Sequence, residues 1–199
     1  MDLLFASSNK NKIKEINQLL PAGYRLLGLL DIGITEEIPE PGSTIKQNSF
    51  LKANYVIEKL NAEGKETAVF ADDSGLEVEA LNNAPGVYSA RYAGIPKGDK
   101  ANNEKLIKEL ASKDNRKARF VTVITLIKNG SVNYFEGEVK GTITYGEQGS
   151  NGFGYDPLFI PEGYEKTFAE FTTEEKNKIS HRGQAVEKLI EFLNSEIGK

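Results

Sequence analysis

The 199-residue chain has no cysteine, no tryptophan, one histidine and one methionine. Without thiols there is no disulfide, no zinc-thiolate or iron-sulfur ligation and no thiol nucleophile. A single histidine also excludes a multi-histidine metal cage. Long apolar runs are missing as well. The N-terminal run ends at Ala6, Asp2 stands where a signal peptide carries bases, and no stretch nears the ~18 apolar residues of a membrane span. The expectation is a soluble, cytoplasmic protein without a membrane partner, in which the sequon Asn129-Gly130-Ser131 is irrelevant to glycosylation.

Neither common nucleotide cradle is present, since G-x-x-x-x-G-K-[ST] and G-x-G-x-x-G are both absent, and no G-x-S-x-G elbow supports a serine hydrolase. The charge balance, 25 basic against 29 acidic residues for a net −4, disfavours a nucleic-acid partner bound along its backbone. It leaves room for a small anionic substrate held by a few local cations.

What is present reads as one α/β domain with a mixed sheet. Leu3 to Ala6 is a strand. It runs through the turn or cap types Ser7-Ser8-Asn9 into a helix marked by Ile13, Ile16, Leu19 and Leu20. A strand is expected near Tyr24 to Leu30. Thr44 with Gln47 forms a capping box for a helix whose buried stripe is Phe50, Ala53, Val56, Ile57 and Leu60. Thr67 to Ala71 predicts a buried strand ending at Asp72-Asp73, and the alternation of Leu76, Val78 and Ala80 with Glu77 and Glu79 predicts a second, half-exposed strand with a solvated acidic face. Pro85-Gly86 marks a turn. A helix is expected from Asp99 to Ala111, and β-branched Arg119 to Ile127 reaches the hairpin signal Asn129-Gly130 before strands from Val132 to Thr144. A glycine-rich loop spans Gly146 to Pro157, and Val186, Leu189, Ile190, Leu193 and Ile197 share one face of a C-terminal helix.

Four segments can carry chemistry. Ser7-Ser8-Asn9-Lys10-Asn11-Lys12 lies between a strand end and a helix start, where free N–H groups and the helix dipole attract anions; taken alone, an ordinary cap with surface lysines explains it better. Glu40, between two prolines, suits a magnesium ligand or a plain solvated loop carboxylate, with Lys52 on the polar side of its helix beside Asn48. Asp72-Asp73-Ser74-Gly75 places adjacent carboxylates after a buried strand, an arrangement that a bound cation or a base role offsets. The fourth joins Gly152-Phe153-Gly154-Tyr155-Asp156-Pro157 with Lys176 and Ser180-His181-Arg182-Gly183. Its glycines let backbone approach a flat ligand while a ring stacks on it, and Ser180 is placed to cap a helix.

In this order, with Ala84-Pro85-Gly86-Val87-Tyr88-Ser89-Ala90-Arg91-Tyr92 between them, these segments resemble the inosine triphosphate pyrophosphatase family over nearly the whole chain. The resemblance implies an elongated α/β fold, a mixed central sheet flanked by helices with two lobes around an active-site cleft, one two-lobed domain over residues 1–199, and a homodimer. It implies Mg²⁺-dependent cleavage of ITP, dITP and XTP between the α and β phosphates. By position, Ser7, Ser8, Asn9, Lys10, Asn11 and Lys12 hold phosphates, Lys52 reaches the same charge, and Glu40 with Asp73 binds the metal, Asp73 also serving as general base. Ser74 touches substrate beside the metal; Phe153, Gly154, Tyr155 and Asp156 enclose the base; Lys176, His181 and Arg182 complete the pocket. Gln47 departs from the family's usual acidic residue. Two other expectations compete with this one. The Phe153 to Asp156 and Ser180 to Gly183 segments speak against a pyrophosphatase of broader or pyrimidine specificity, as in Maf-like proteins, and the joint presence of Glu40, Asp73 and Lys12 speaks against a non-catalytic nucleotide sensor.

Overall fold

The computed structural model describes residues 2–62, 68–95 and 97–196. Its elements are β1 (Asp2–Phe5), α1 (Lys10–Leu19), β2 (Arg25–Leu27), α2 (Ile45–Ala62), β3 (Val69–Val78), β4 (Ala84–Pro85), α3 (Asp99–Glu109), β5 (Lys117–Lys128), β6 (Ser131–Ile143), β7 (Phe159–Pro161), α4 (Thr173–Ile179) and α5 (His181–Glu196). Among the described residues the sheet order is β2-β1-β3-β5-β6-β7, with β4 on β3; β1 is parallel to β2 and β3, whereas β3·β4 and β6·β7 are antiparallel. The fold is mixed α/β.

By packing the chain divides into two compact units, Met1–Asp73 with Thr122–Gly137 and Arg182–Lys199, and Ser74–Val121 with Glu138–His181. In the first unit, parallel strands are buried on both faces, as crossover helices require. Leu3 and Phe5 of β1 enter one cluster with Ile16 of α1 and Val186, Leu189 and Leu193 of α5. Leu4 and Ala6 enter the other, under Ala53, Val56 and Leu60 of α2. Each fully buried Val or Leu here contributes about 1.5–3 kcal/mol. Phe5 and Phe70 stack at 4.8 Å between neighbouring strands.

The core of the second unit is aromatic. Phe120, Tyr155, Phe159, Phe168 and Phe171 pack with Leu76, Val78, Leu106 and Leu110. Phe120 lies 4.7 Å from Phe159 edge-on and stacks on His181 at 4.7 Å and 8°.

Several expectations change. The strand near Tyr24 to Leu30 is only Arg25–Leu27, because Leu29–Ile32 closes a 3₁₀ turn whose Gly28 N–H donates to Asp31 Oδ2 at 2.7 Å. The two strands expected around Asp72-Asp73 are one continuous β3: side-chain cations satisfy the carboxylates, so the backbone has no reason to turn. That strand ends at Val78, and Glu79–Leu81 forms a 3₁₀ turn, so only Glu77 of the acidic pair is on the strand, where Arg119 engages it at 2.7 Å. α3 stops at Glu109, two residues short of Ala111. α4 was not foreseen, although Thr172 and Glu175 form its capping box; Ser180 is accordingly the C-cap of α4, its N–H donating to Lys176 O at 2.8 Å. The hairpin at Asn129-Gly130 forms with both φ angles positive (50° and 74°), as a primed turn requires. Thr67 and Ile197 lie outside the described residues.

Candidate active site

The Ser7–Lys12 turn joins β1 to α1. Asn9 is the N-cap: its Oδ1 accepts from the N–H groups of Asn11 (3.0 Å) and Lys12 (3.2 Å), while its own N–H donates to Ser7 Oγ at 3.2 Å. Ser8, Asn9, Lys10 and Asn11 are exposed at the positive end of the helix. Lys12 turns inward instead, its Nζ 3.0 Å from Asp72 Oδ1.

That contact opens a cluster of buried charge within the first unit. Asp72, at the point where β3 passes α1, faces two cations, Lys12 and Arg182, whose Nε lies 3.2 Å from Oδ2. Arg182 also pairs with Glu15 of α1 and is only 2% exposed. One residue along, on the opposite pleat, Asp73 Oδ1 meets Lys52 Nζ at 3.0 Å, and the same ammonium meets Glu40 Oε1 at 2.7 Å. Lys52 is therefore not on a polar outer face. It is 7% exposed, on a buried polar stripe of α2 with Asn48 and Ser49, and Ser49 Oγ lies 3.1 Å from Ala71 O and 2.8 Å from Thr125 Oγ1.

The Glu40 loop is held by the start of α2. Asn48 Oδ1 accepts from Gly42 N at 2.7 Å, and a Cβ on Gly42 would stand 2.6 Å from that oxygen. The capping box is displaced by one residue. Gln47 N donates to Thr44 Oγ1 (3.1 Å), but Gln47 Oε1 accepts from Ser43 N (2.9 Å), a neutral side chain doing what the acidic residue usual in the resemblance would do. Asn48, fully buried with its Nδ2 lacking a hydrogen-bond partner, was not singled out as a site residue; its spacing of four from Lys52 was the available signal.

Electrostatics distinguish the two adjacent aspartates. Burial works to raise Asp72, yet Lys12 and Arg182 outweigh it and hold the carboxyl below the usual range. For Asp73 burial prevails over the attraction of Lys52 and pushes the carboxyl up, with Glu40 adding to the rise. Burial lowers Lys12 more than Asp72 raises it, whereas in Lys52 the opposing burial is overcome by Asp73 and Glu40. Among the described residues these contacts link three cations (Lys12, Lys52, Arg182) to four carboxylates (Glu15, Glu40, Asp72, Asp73). Among the described residues no three His, Cys, Asp or Glu side chains gather to hold a metal unaided. Glu40 and Asp73, two hard oxygen donors drawn to one point, fit a small divalent cation that completes its shell with water and phosphate oxygens.

In the second unit, the loop Gly152–Asp156 is folded around Asp156. This carboxylate is 2% exposed; its Oδ2 accepts from Phe153 N at 2.9 Å and from Lys176 Nζ at 2.6 Å. Gly152, at φ +74°, admits no side chain, because a Cβ would lie 2.0 Å from Asp156 Oδ2. Tyr155 is a core residue whose hydroxyl donates to Ser89 O at 2.8 Å, and burial drives that hydroxyl's acidity far down. Phe153 is half-buried and lies outside the aromatic cluster, with Lys176 Nζ 5.0 Å from its ring centre. Of the two rings of this loop, Phe153 is the more exposed. Ser74 is half-buried on β3, and His181 is buried against Phe120. Lys176 and His181 stand in this unit, Arg182 in the first.

A groove of about 890 Å³ in the second unit includes none of the residues singled out from the sequence. Its buried cation, Arg116, donates to Ile143 O (2.7 Å), Leu110 O (3.1 Å) and Thr144 O (2.6 Å), so it serves as a strut for backbone carbonyls. No helix among the described residues is long and apolar enough to cross a membrane.

Comparison with known proteins gives one consistent answer. Residues 3–192 match the sequence profile of the Ham1 family. A Flavobacterium psychrophilum protein named dITP/XTP pyrophosphatase is 52% identical over 195 residues, covering 98% of this chain and 100% of its own. A Porphyromonas gingivalis protein of the same name is 48% identical, over 96% of both chains. Among solved structures, the Staphylococcus aureus Ham1 protein superimposes with a TM-score of 0.87 at 41% identity, over 98% of this chain and 100% of that one. A Mycobacterium abscessus structure titled nucleoside-triphosphatase / dITP/XTP pyrophosphatase gives 0.75 at 42% identity, over 95% and 98%.

Proposed function

Because the chain belongs to the Ham1 family, we propose that it hydrolyses non-standard purine nucleoside triphosphates, ITP, dITP and XTP, to the nucleoside monophosphate and pyrophosphate, clearing them from the nucleotide pool. The observation that carries this reading is the convergence of Glu40 and Asp73 on Lys52. Two carboxylates around one buried ammonium suit a site that takes up a positive ion together with a polyphosphate.

The geometry supports the following residue roles. The exposed turn Ser7-Ser8-Asn9-Lys10-Asn11 offers N–H groups, hydroxyls and an ammonium to phosphate oxygens, with Lys12 behind it. Lys52 shares the phosphate charge and keeps Glu40 and Asp73 oriented. Glu40 and Asp73 would hold Mg²⁺, which when bound would neutralise phosphate oxygens and lower the pKa of water. Asp73, its carboxyl raised by burial and so a stronger proton acceptor than a solvated carboxylate, receives a proton from the attacking water as the α–β anhydride bond breaks and pyrophosphate leaves. Ser74 stands next along β3 to touch the substrate beside that carboxylate.

Phe153 supplies the stacking face for the base, while Gly154, Asp156, Lys176, His181 and Arg182 supply or orient donors for the 6-oxo group; Tyr155 acts from the core as an anchor of the loop. Adenine's amino group leaves such donors unpaired, and discrimination of this kind reaches about 10⁴-fold. The catalytic domain is the whole of residues 1–199, working as a cytoplasmic homodimer; sedimentation at micromolar concentration checks the dimer. The deciding assay is pyrophosphate release from ITP, XTP and ATP with Mg²⁺ and with a chelator. Preference for ITP and XTP that disappears on chelation supports the reading, and equal rates on ATP or turnover that survives chelation rejects it.

A further inference from the structure

α3 sits outside every segment that carries the family resemblance, yet two of its side chains seize the loop that bears Phe153. Asp99, in the first turn, accepts the N–H of Gly154 on Oδ2 at 2.7 Å. Asn103, one turn later, donates from Nδ2 to the carbonyl of the same residue at 3.2 Å, and to Glu147 Oε1 at 2.8 Å. Gly154 is thus held through both its backbone polar groups, while its φ of +62° is one that L side chains rarely adopt. Nothing stands within 4 Å of where its Cβ would be, so the side-chain-less face of this residue is open.

The placement of these groups is unlike ordinary helix capping. A first-turn aspartate usually satisfies its own helix. Here the cap residue is Gly98, without a side-chain bond, and the Asp99 carboxylate is spent on a partner 55 positions along the chain. Asn103 is 2% exposed with its Oδ1 lacking a hydrogen-bond partner, so its buried amide is committed to the loop through Nδ2 alone. Neighbouring atoms are fixed from the other side: Asp156 takes the Phe153 N–H at 2.9 Å and the Tyr155 hydroxyl is bound to Ser89 O at 2.8 Å. Of the two rings between these anchors, Tyr155 belongs to the core and Phe153 is half-buried.

We propose that Asp99 and Asn103 are positioning residues for base selection: by clamping the Gly154 peptide they hold the Phe153 ring and the adjoining backbone groups in the orientation that accepts a 6-oxo purine. This rests on the reading of that loop given under Proposed function. The hydrogen bonds of the clamp go to the loop that bears Phe153, so its loss acts on the choice of base and on KM more than on kcat. A shift of about 1 Å in a positioned group costs up to about 10²-fold.

The test compares wild type, Asp99→Ala, Asp99→Asn and Asn103→Leu. Exchange of the Gly154 amide, followed by NMR, reports the clamp directly and is expected to accelerate in Asp99→Ala. The ratio of kcat/KM for ITP over ATP is expected to fall about tenfold in Asp99→Ala and Asn103→Leu, chiefly through KM for ITP, and to recover in Asp99→Asn, whose amide oxygen still accepts the Gly154 N–H. Inhibition by inorganic triphosphate, which has no base, is expected to stay as in wild type. If Gly154 exchange accelerates and the ratio does not move, or if inorganic triphosphate binding weakens as much as ITP binding does, the clamp has no part in base selection. A wild type that treats ITP and ATP alike overturns the purine reading itself, and the clamp's role with it.

Discussion

The first unit chains its buried charges together, whereas the second sets a buried ion pair among aromatic rings. Around β3, Lys12, Lys52 and Arg182 are each shared or chained among Glu15, Glu40, Asp72 and Asp73, so a carboxylate such as Asp72 faces two cations and an ammonium such as Lys52 faces two carboxylates. In the second unit, the buried pair Lys176–Asp156 is set among rings, and the carboxylate's further task is to hold a backbone N–H of a glycine loop. A shared network of carboxylates and ammonium groups can accept an ion and pass a proton. A charged pair inside an aromatic core fixes shape.

The largest effect expected from that contrast is at Asp73. Asp73→Asn removes about 10³-fold or more of turnover while ITP binding by calorimetry is retained. The same change should stabilise the metal-free protein. Burial raises the Asp73 carboxyl, so its favourable contribution is present below the unfolded-state value and is lost as pH rises through the folded one. An amide mimics the protonated form, and a gain of about 1 kcal/mol at pH 7 corresponds to about 2–4 °C in Tm. A Tm that falls instead would mean that Lys52 depends on Asp73 more than burial opposes it.

Next comes Lys176→Met, which leaves the 2%-exposed Asp156 without the ammonium at 2.6 Å and is expected to cost about 3–5 kcal/mol in urea unfolding. Lys12→Met leaves Asp72 still facing Arg182 and should cost clearly less. Equal losses would erase the distinction between shared and paired charge.

Smaller effects sharpen the first unit alone. Gly42→Ala forces a Cβ against Asn48 Oδ1 and tilts the Glu40 loop; the Mg²⁺ concentration for half-maximal activity should rise about 10- to 100-fold with little change in Tm. The pH dependence of that Mg²⁺ requirement is the mildest test. Protons compete for the raised carboxyl of Asp73, so the requirement should climb as pH falls while still above the ordinary carboxylate range, whereas Asp72, held low by Lys12 and Arg182, stays charged throughout.

Much of this was legible in local pattern. The N-cap at Asn9, the hairpin at Asn129-Gly130 and the helices carrying Ile16 and Val56 all follow from spacing and turn chemistry, which act over a few residues. The short strand at Arg25–Leu27 and the unbroken β3 did not, because each was decided by partners elsewhere: a turn closed by Asp31, and cations brought to Asp72 from α1 and α5. Among the site residues, Lys52 read as solvent-facing because a lysine on a helix usually is; only Glu40 and Asp73 make its burial tolerable. Glu15, Asn48, Asp99 and Asn103 carried no motif at all.

The sequence by itself determined the absence of thiol chemistry, the α/β alternation and the set of segments that bear carboxylates, cations and glycines. Only the tertiary structure decided which carboxylate is held charged and which is raised. Asp72 and Asp73 are identical in type and adjacent in the chain, but successive residues of a strand point to opposite faces, and the two faces of β3 present them to different cations in different degrees of burial.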